Sequence, residues 1–154
     1  MDVVCASDLR RVVQTVEIAF AGGGKEIRVD RRLRECDYGI YNGRPVSEVA
    51  ALRSRHIDTP WSGGQSYRQV VAEMAGFLRE VMDEWQGGLV LAVSHSANRW
   101  ALQNLLDGTP LEELVLTRRL SGGRGGSTAS AEVGRVGCPS LPGWVSSPMV
   151  WGSH

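Results

Sequence analysis

The sequence has no long hydrophobic run and no excess of charge of either sign, and each shortage removes a class of protein. No stretch approaches the roughly eighteen apolar residues of a membrane-crossing helix, and the N-terminus shows neither the basic nor the apolar region of a secretory leader. A cytoplasmic protein with no membrane partner is therefore expected. Lys+Arg 17 balances Asp+Glu 17, so no global field draws in nucleic acid, and any anion site must be local. Only Cys5, Cys36 and Cys138 are present, an odd number set far apart, which argues against a disulfide framework and a structural zinc site. There is no phosphate-cradling G-x-x-x-x-G-K-S/T, no dinucleotide G-x-G-x-x-G, no H-E-x-x-H and no G-x-S-x-G.

What is present fits one soluble α/β domain: 154 residues, 42% hydrophobic, suffice for a core. The stretch Leu89 to Leu106, LVLAVSHSANRWALQNLL, organises the rest. Leu89 to Val93 is apolar without alternation, as in a strand covered on both faces of a parallel sheet. Helical spacing of Trp100, Ala101, Leu105 and Leu106 follows, with Ser96 or Asn98 able to cap the start and Gly108 and Pro110 closing the end. Val3 to Ala6 and Ile27 to Val29 are two further short strands. Leu9, Val12, Val13 and Val16 predict a helix to Ala19, capped by Ser7 or Asp8. Pro45 predicts a helix to about Arg55. Ser66 and Gln69 form a capping box that opens the longest helix, to about Trp85, with a core stripe from Tyr67 to Val81. Leu111 to Thr117 has room for one helical turn and a scrap of strand.

Three places carry chemistry. His95 falls at the carboxyl end of a strand and beside a helix N-terminus, where free N–H groups favour an anion; a histidine there either binds one or only hydrogen-bonds within its loop. Arg10 and Arg11 lie in a first helical turn, where a cation opposes the dipole, so either both are solvated or one bends back over the strand end to grip an anion. Glu35 sits in the loop LRECDYGIYNG, Leu33 to Gly43, and by itself has no functional claim. From Leu120 the composition turns to Gly, Ser and Pro without period, which predicts residues 119–154 to be a disordered tail after a domain of residues 1–118.

In order and spacing, SDLRRVVQT (Ser7 to Thr15), LRECDYGIYNG, GGQSYRQVV and VSHSANRWAL resemble the S-x-L-x-R-A-x-x-T, L-R-E-x-x-x-G-x-x-x-G, G-G-E-S-Y and second-histidine elements of the phosphoglycerate-mutase-like histidine phosphatases. The resemblance implies a three-layer sheet, a phosphomonoester substrate or inorganic phosphate, a phosphohistidine intermediate, and no cofactor or metal. It makes Arg11, His95 and the backbone of Ser96 phosphate-binding groups, and Glu35 the proton donor to the leaving group. The family's nucleophile lies in an R-H-G motif on a first strand. This sequence has no such motif, since Arg55-His56 is followed by Ile57. The resemblance therefore implies a domain truncated at its N-terminus and inactive or impaired as written, or a non-catalytic phosphate-binding protein. It also implies a half sheet of three parallel strands, ordered Ile27 to Val29, Val3 to Ala6, Leu89 to Val93. The last would be an open apolar edge suited to self-association.

Overall fold

The computed structural model describes residues 1–116 and 132–137. Its central strands are apolar on both sides, so helices must cover both faces of the sheet. Strand β1 (Val3–Ala6) is almost wholly buried, and it pairs in parallel with β2 (Glu26–Val29) on one side and β3 (Leu89–Ser94) on the other. Helix α1 (Arg10–Ala19) lays Val12 and Val16 over Val4, Ala6, Leu91 and Val93. On the opposite face, α3 (Tyr67–Glu84) and α4 (Ser96–Asp107) enclose the larger core with Val3, Cys5 and Val90. The α2 helix (Val46–Leu52) and α5 (Leu111–Leu116) close this side. Single 3-10 turns stand at Arg31–Leu33, Gly39–Tyr41 and Arg53–His56.

The capping box of α3 forms with both reciprocal bonds: the Gln69 N–H donates to Ser66 Oγ at 3.2 Å, and the Ser66 N–H donates to Gln69 Oε1 at 2.8 Å. The exposed edge β2 is tied to α3 by charge. Arg28 pairs with Glu84 and Glu80, and Arg32 with Asp30 and Glu80.

Several details depart from the sequence reading. Strand β3 is not an open edge, because β4 (Glu132–Gly137) pairs with it antiparallel from Leu89↔Gly137 to Ser94↔Glu132. The sheet order is β2-β1-β3-β4. An unpaired apolar edge leaves a row of backbone donors and acceptors unsatisfied, and β4 supplies their partners. The expected self-association through Leu89–Val93 thus loses its physical basis. The rest of the expected tail, residues 119–131 and 138–154, lies outside the described residues, as does Thr117. Neither Ser7 nor Asp8 caps α1, whose N-cap is Leu9 without a side-chain bond. Asp8 instead accepts from Arg34 at 2.6 Å. Nor does Ser96 or Asn98 cap α4: its N-cap is His95, and the role passes to a distant side chain described below. The helix expected to run to Arg55 stops at Leu52 and tightens into a 3-10 turn.

Candidate active site

The ends of β1 and β3 lie side by side, so the residues that leave them meet. Ser7 follows β1 directly and is fully buried; His95 follows β3 and is 4% exposed. His95 Nε2 lies 3.2 Å from Ser7 Oγ, and the Leu9 N–H donates to the same oxygen at 3.3 Å. Arg11, in the first turn of α1, reaches back so that its Nη2 stands 3.4 Å from His95 Nδ1, across 84 residues of sequence. Of the Arg10-Arg11 pair, Arg11 is therefore the one that turns over the strand ends.

These contacts settle the proton on the ring. A guanidinium only donates, so Nδ1 must accept, and the single proton of a neutral imidazole then sits on Nε2 and is donated to Ser7 Oγ. Burial, with the Arg11 charge added, holds the His95 pKa down to about 4, which keeps the ring neutral near pH 7. Unfolding returns it to an ordinary histidine with a pKa near 6.5. The unfolded chain then binds the proton first, so this residue's contribution favours the folded state above pH 6.5 and weakens as pH falls toward 4. Between pH 7 and 4.5 the loss is on the order of 2 kcal/mol for a shift of this size. Glu35, whose carboxyl is raised, acts in the opposite sense. The measurement is therefore a difference: urea unfolding at the two pH values should show the chain losing on the order of 2 kcal/mol more than His95→Asn. Equal losses would mean that His95 is not held neutral.

Glu35 joins the same end of the sheet through α4. Its Oε1 accepts the Ala97 N–H at 3.2 Å, the Cys36 N–H at 3.0 Å and the Tyr38 hydroxyl at 3.4 Å. A carboxylate from elsewhere in the chain thus supplies the acceptor that the helix start lacks. Burial pushes the Glu35 carboxyl up, while the Cys36 and Ala97 N–H groups, the Arg53 charge and the Tyr38 hydroxyl draw it back. Ser96 opens α4 between His95 and Ala97, at the helix end whose free N–H groups suit an anion.

The loop that carries Glu35 is braced from behind. Gln65 and Asp37 exchange two bonds: the Gln65 N–H donates to the Asp37 carbonyl at 2.8 Å, and the Asp37 N–H donates to Gln65 Oε1 at 3.2 Å. Trp61, 1% exposed, receives the rings of Tyr38, Tyr41 and His56. His56 is stacked on it at 3.9 Å between centroids, with Nδ1 3.1 Å from the Thr59 carbonyl, and so is engaged in packing. Among the described residues no three His, Cys, Asp or Glu side chains gather in a way that could hold a metal ion, and no helix is long and apolar enough to cross a membrane.

The sequence reading singled out Arg11, Glu35, His95 and Ser96, and the structure places all four near the ends of β1 and β3. It missed Ser7 and Tyr38, which orient His95 and Glu35. A serine directly after an apolar strand was the available signal for the first; nothing local marked the second.

A mostly parallel α/β sheet with a histidine, an arginine and a helix N-terminus gathered at its strand ends is the place where open α/β proteins take their ligands. The comparisons make this specific. The model of the histidine phosphatase superfamily (branch 1) matches residues 1–120, and the chain belongs to that family. It is similar to phosphoserine phosphatase 1 of Hydrogenobacter thermophilus, 32% identical over 122 residues that cover 73% of this chain and 57% of that protein. A probable phosphoglycerate mutase (GpmB) of Cronobacter sakazakii is 31% identical over 115 residues, covering 70% of this chain and 54% of the relative. Among solved structures, mycobacterial glucosyl-3-phosphoglycerate phosphatase in complex with inorganic phosphate superposes with a TM-score of 0.61 at 29% identity, over 86% of this chain and 68% of that one. The chain spans a little over half the length of the curated relatives it matches.

Proposed function

We propose that this chain carries the phosphate-binding and proton-donating part of a phosphomonoester hydrolase that works through a phosphohistidine. The observation that carries the reading is the meeting of Arg11 and His95 at 3.4 Å beside the start of α4. In a phosphoryl transfer the three equatorial oxygens need fixed donors. Arg11 supplies a charged one, the Ser96 backbone a second, and His95 a third once its Nδ1 takes up a proton from the incoming phosphate or from solvent. Glu35, raised by burial, is suited to hand a proton to the departing alkoxide. The partner is a small phosphorylated substrate or inorganic phosphate, and the proposed setting is the cytoplasm. The proposed domain is residues 1–118.

The nucleophile is the part that this sequence does not hold. No histidine precedes His56, and His56 is packed against Trp61. As written the chain is expected to be impaired in turnover. A second reading, a non-catalytic phosphate-binding protein, follows from the same observation. Both readings require the pocket to bind phosphate. Calorimetric titration with inorganic phosphate should show binding that weakens about tenfold or more in Arg11→Ala and in His95→Ala, the loss of one charge-assisted or buried contact each. Binding untouched by both substitutions would refute the site.

A further inference from the structure

Asp8 and Arg34 stand inside the two motifs that bring Arg11 and Glu35 to the site, yet neither has a part in the pocket described above. Asp8 follows Ser7, whose hydroxyl meets His95, and Arg34 precedes Glu35. The two side chains form a two-pronged bridge: Arg34 Nε and Nη2 donate to Asp8 Oδ1 and Oδ2, each at 2.6 Å. Three segments carry the site, and each is joined to the other two. The start of α1 is tied to the start of α4 by Ser7 against His95 at 3.2 Å and by Arg11 against His95 at 3.4 Å. The Glu35 loop is tied to α4 by the Ala97 N–H, which donates to Glu35 Oε1 at 3.2 Å, and by Asn98 Nδ2, which donates to the Arg32 carbonyl at 3.0 Å. Asp8 and Arg34 close the third side, between the Glu35 loop and the start of α1.

Resting on the phosphate-pocket reading above, we infer that Asp8 and Arg34 are positioning residues, whose bridge fixes the span between the acid Glu35 and the phosphate grip of Arg11 and His95. Chain adjacency gives the bridge its leverage. A displacement of Arg34 moves Glu35 through the peptide bond they share, and a displacement of Asp8 moves Ser7 and with it the support of the His95 ring. A carboxylate and a guanidinium that meet through two parallel bonds fix an angle as well as a distance, which a single contact does not. Stability alone gives the pair a smaller reason to exist. The Arg34 side chain is 56% exposed and that of Asp8 26%, and an ion pair this open to water contributes modestly to folding at best. A proton donor, by contrast, must stand within hydrogen-bond reach of the oxygen it serves, where a small misplacement is costly.

Hydrogen exchange in the full chain, followed amide by amide by NMR, tests the inference. The Ala97 and Cys36 amides report on the Glu35 carboxyl, since both donate to its Oε1. Asp8→Asn and Arg34→Gln should each speed exchange at these two amides by about fivefold or more, the loosening expected when a hydrogen bond of ordinary strength loses its support, while the amides of β1 and the urea midpoint stay close to those of the unsubstituted chain. Joining Asp8→Arg to Arg34→Asp, which rebuilds the pair in reverse, should restore slow exchange. The common direction separates positioning from charge: one single variant removes an anion and the other a cation, so a purely electrostatic effect would have opposite signs in the two. Unchanged exchange at both amides, opposite signs, or a swapped pair that leaves them fast overturns the inference, while a Ser96 amide that still shifts with inorganic phosphate in the same samples keeps the pocket reading intact. No phosphate-induced shift at Ser96 in the unsubstituted chain removes the pocket and the inference together.

Discussion

Gly64→Ala will destabilise this protein by roughly 3 kcal/mol, while the same substitution one residue earlier, Gly63→Ala, will cost only about 1 kcal/mol. The contrast follows from what each glycine is for. Gly63 is in the left-handed region at φ +74 with open space around it, so alanine meets only the intrinsic penalty of that conformation. Gly64 needs space. A Cβ there would stand 2.2 Å from the Asp37 carbonyl oxygen and 2.6 Å from the Gly39 nitrogen, and neither is a flexible side chain that can swing away. Relief requires the loop at 37–42 to separate from the loop at 61–65. Separation breaks the Gln65 N–H to Asp37 carbonyl bond at 2.8 Å and the Ile40 N–H to Ser62 carbonyl bond at 3.1 Å. Each is worth about 1 kcal/mol, added to the steric term.

The same substitution should be visible at the site. Cys36 is buried, its thiol is pushed up to about 12, and its N–H holds Glu35. A thiol reagent with peptide mapping should leave Cys36 untouched in the parent chain and in Gly63→Ala, and label it readily in Gly64→Ala. Equal denaturation midpoints for the two variants would show that the interlocked loops do not brace the acid.

That brace marks the boundary of what could be read from the chain. Periodicity located α1, α3 and the buried strands because each element's own residues carry the pattern: Val12 and Val16 at helical spacing, Tyr67 to Val81 behind a capping box that forms both its bonds. Arg11 and His95 were legible for a related reason, since His95 directly follows one apolar strand and Arg11 lies in the first helical turn after its parallel neighbour, and parallel strands place their ends together. Contacts between loops have no such local trace. Nothing at Gly39 announces the Ser62 carbonyl, and nothing at Glu35 announces that it will accept from Ala97, because both depend on where a segment tens of residues away comes to rest. Strand β4 was missed on different grounds. E-V-G-R-V-G carries two β-branched residues without alternation, and its pairing is driven by the need of β3 for a partner.

The 154-residue chain will bind vanadate or phosphate but will hydrolyse p-nitrophenyl phosphate, with EDTA present, roughly a thousandfold or more below the rate of phosphoserine phosphatase 1 of Hydrogenobacter thermophilus under the same conditions. Two jobs separate here. Holding the phosphoryl group is electrostatic, and Arg11, His95 and the start of α4 are the groups proposed for it. Accepting the phosphoryl group is covalent and needs an imidazole nitrogen aimed at phosphorus, in line with the leaving oxygen. His95 is poorly placed for that task, since its Nε2–H is committed to Ser7 Oγ and its Nδ1 faces the Arg11 guanidinium, the very group that must grip the equatorial oxygens. His56 is stacked on Trp61. A mechanism that loses its nucleophile keeps only the acceleration that binding and charge supply, and Glu35 then has no leaving group to protonate. Acid quenching after incubation with labelled substrate should accordingly recover no phosphohistidine. Turnover at the relative's rate would reject the proposal, and the variants would say why: loss in His95→Ala with an acid-labile phosphoprotein present would make His95 the nucleophile, whereas loss in His56→Ala would mean that the Trp61 stack opens to release that ring.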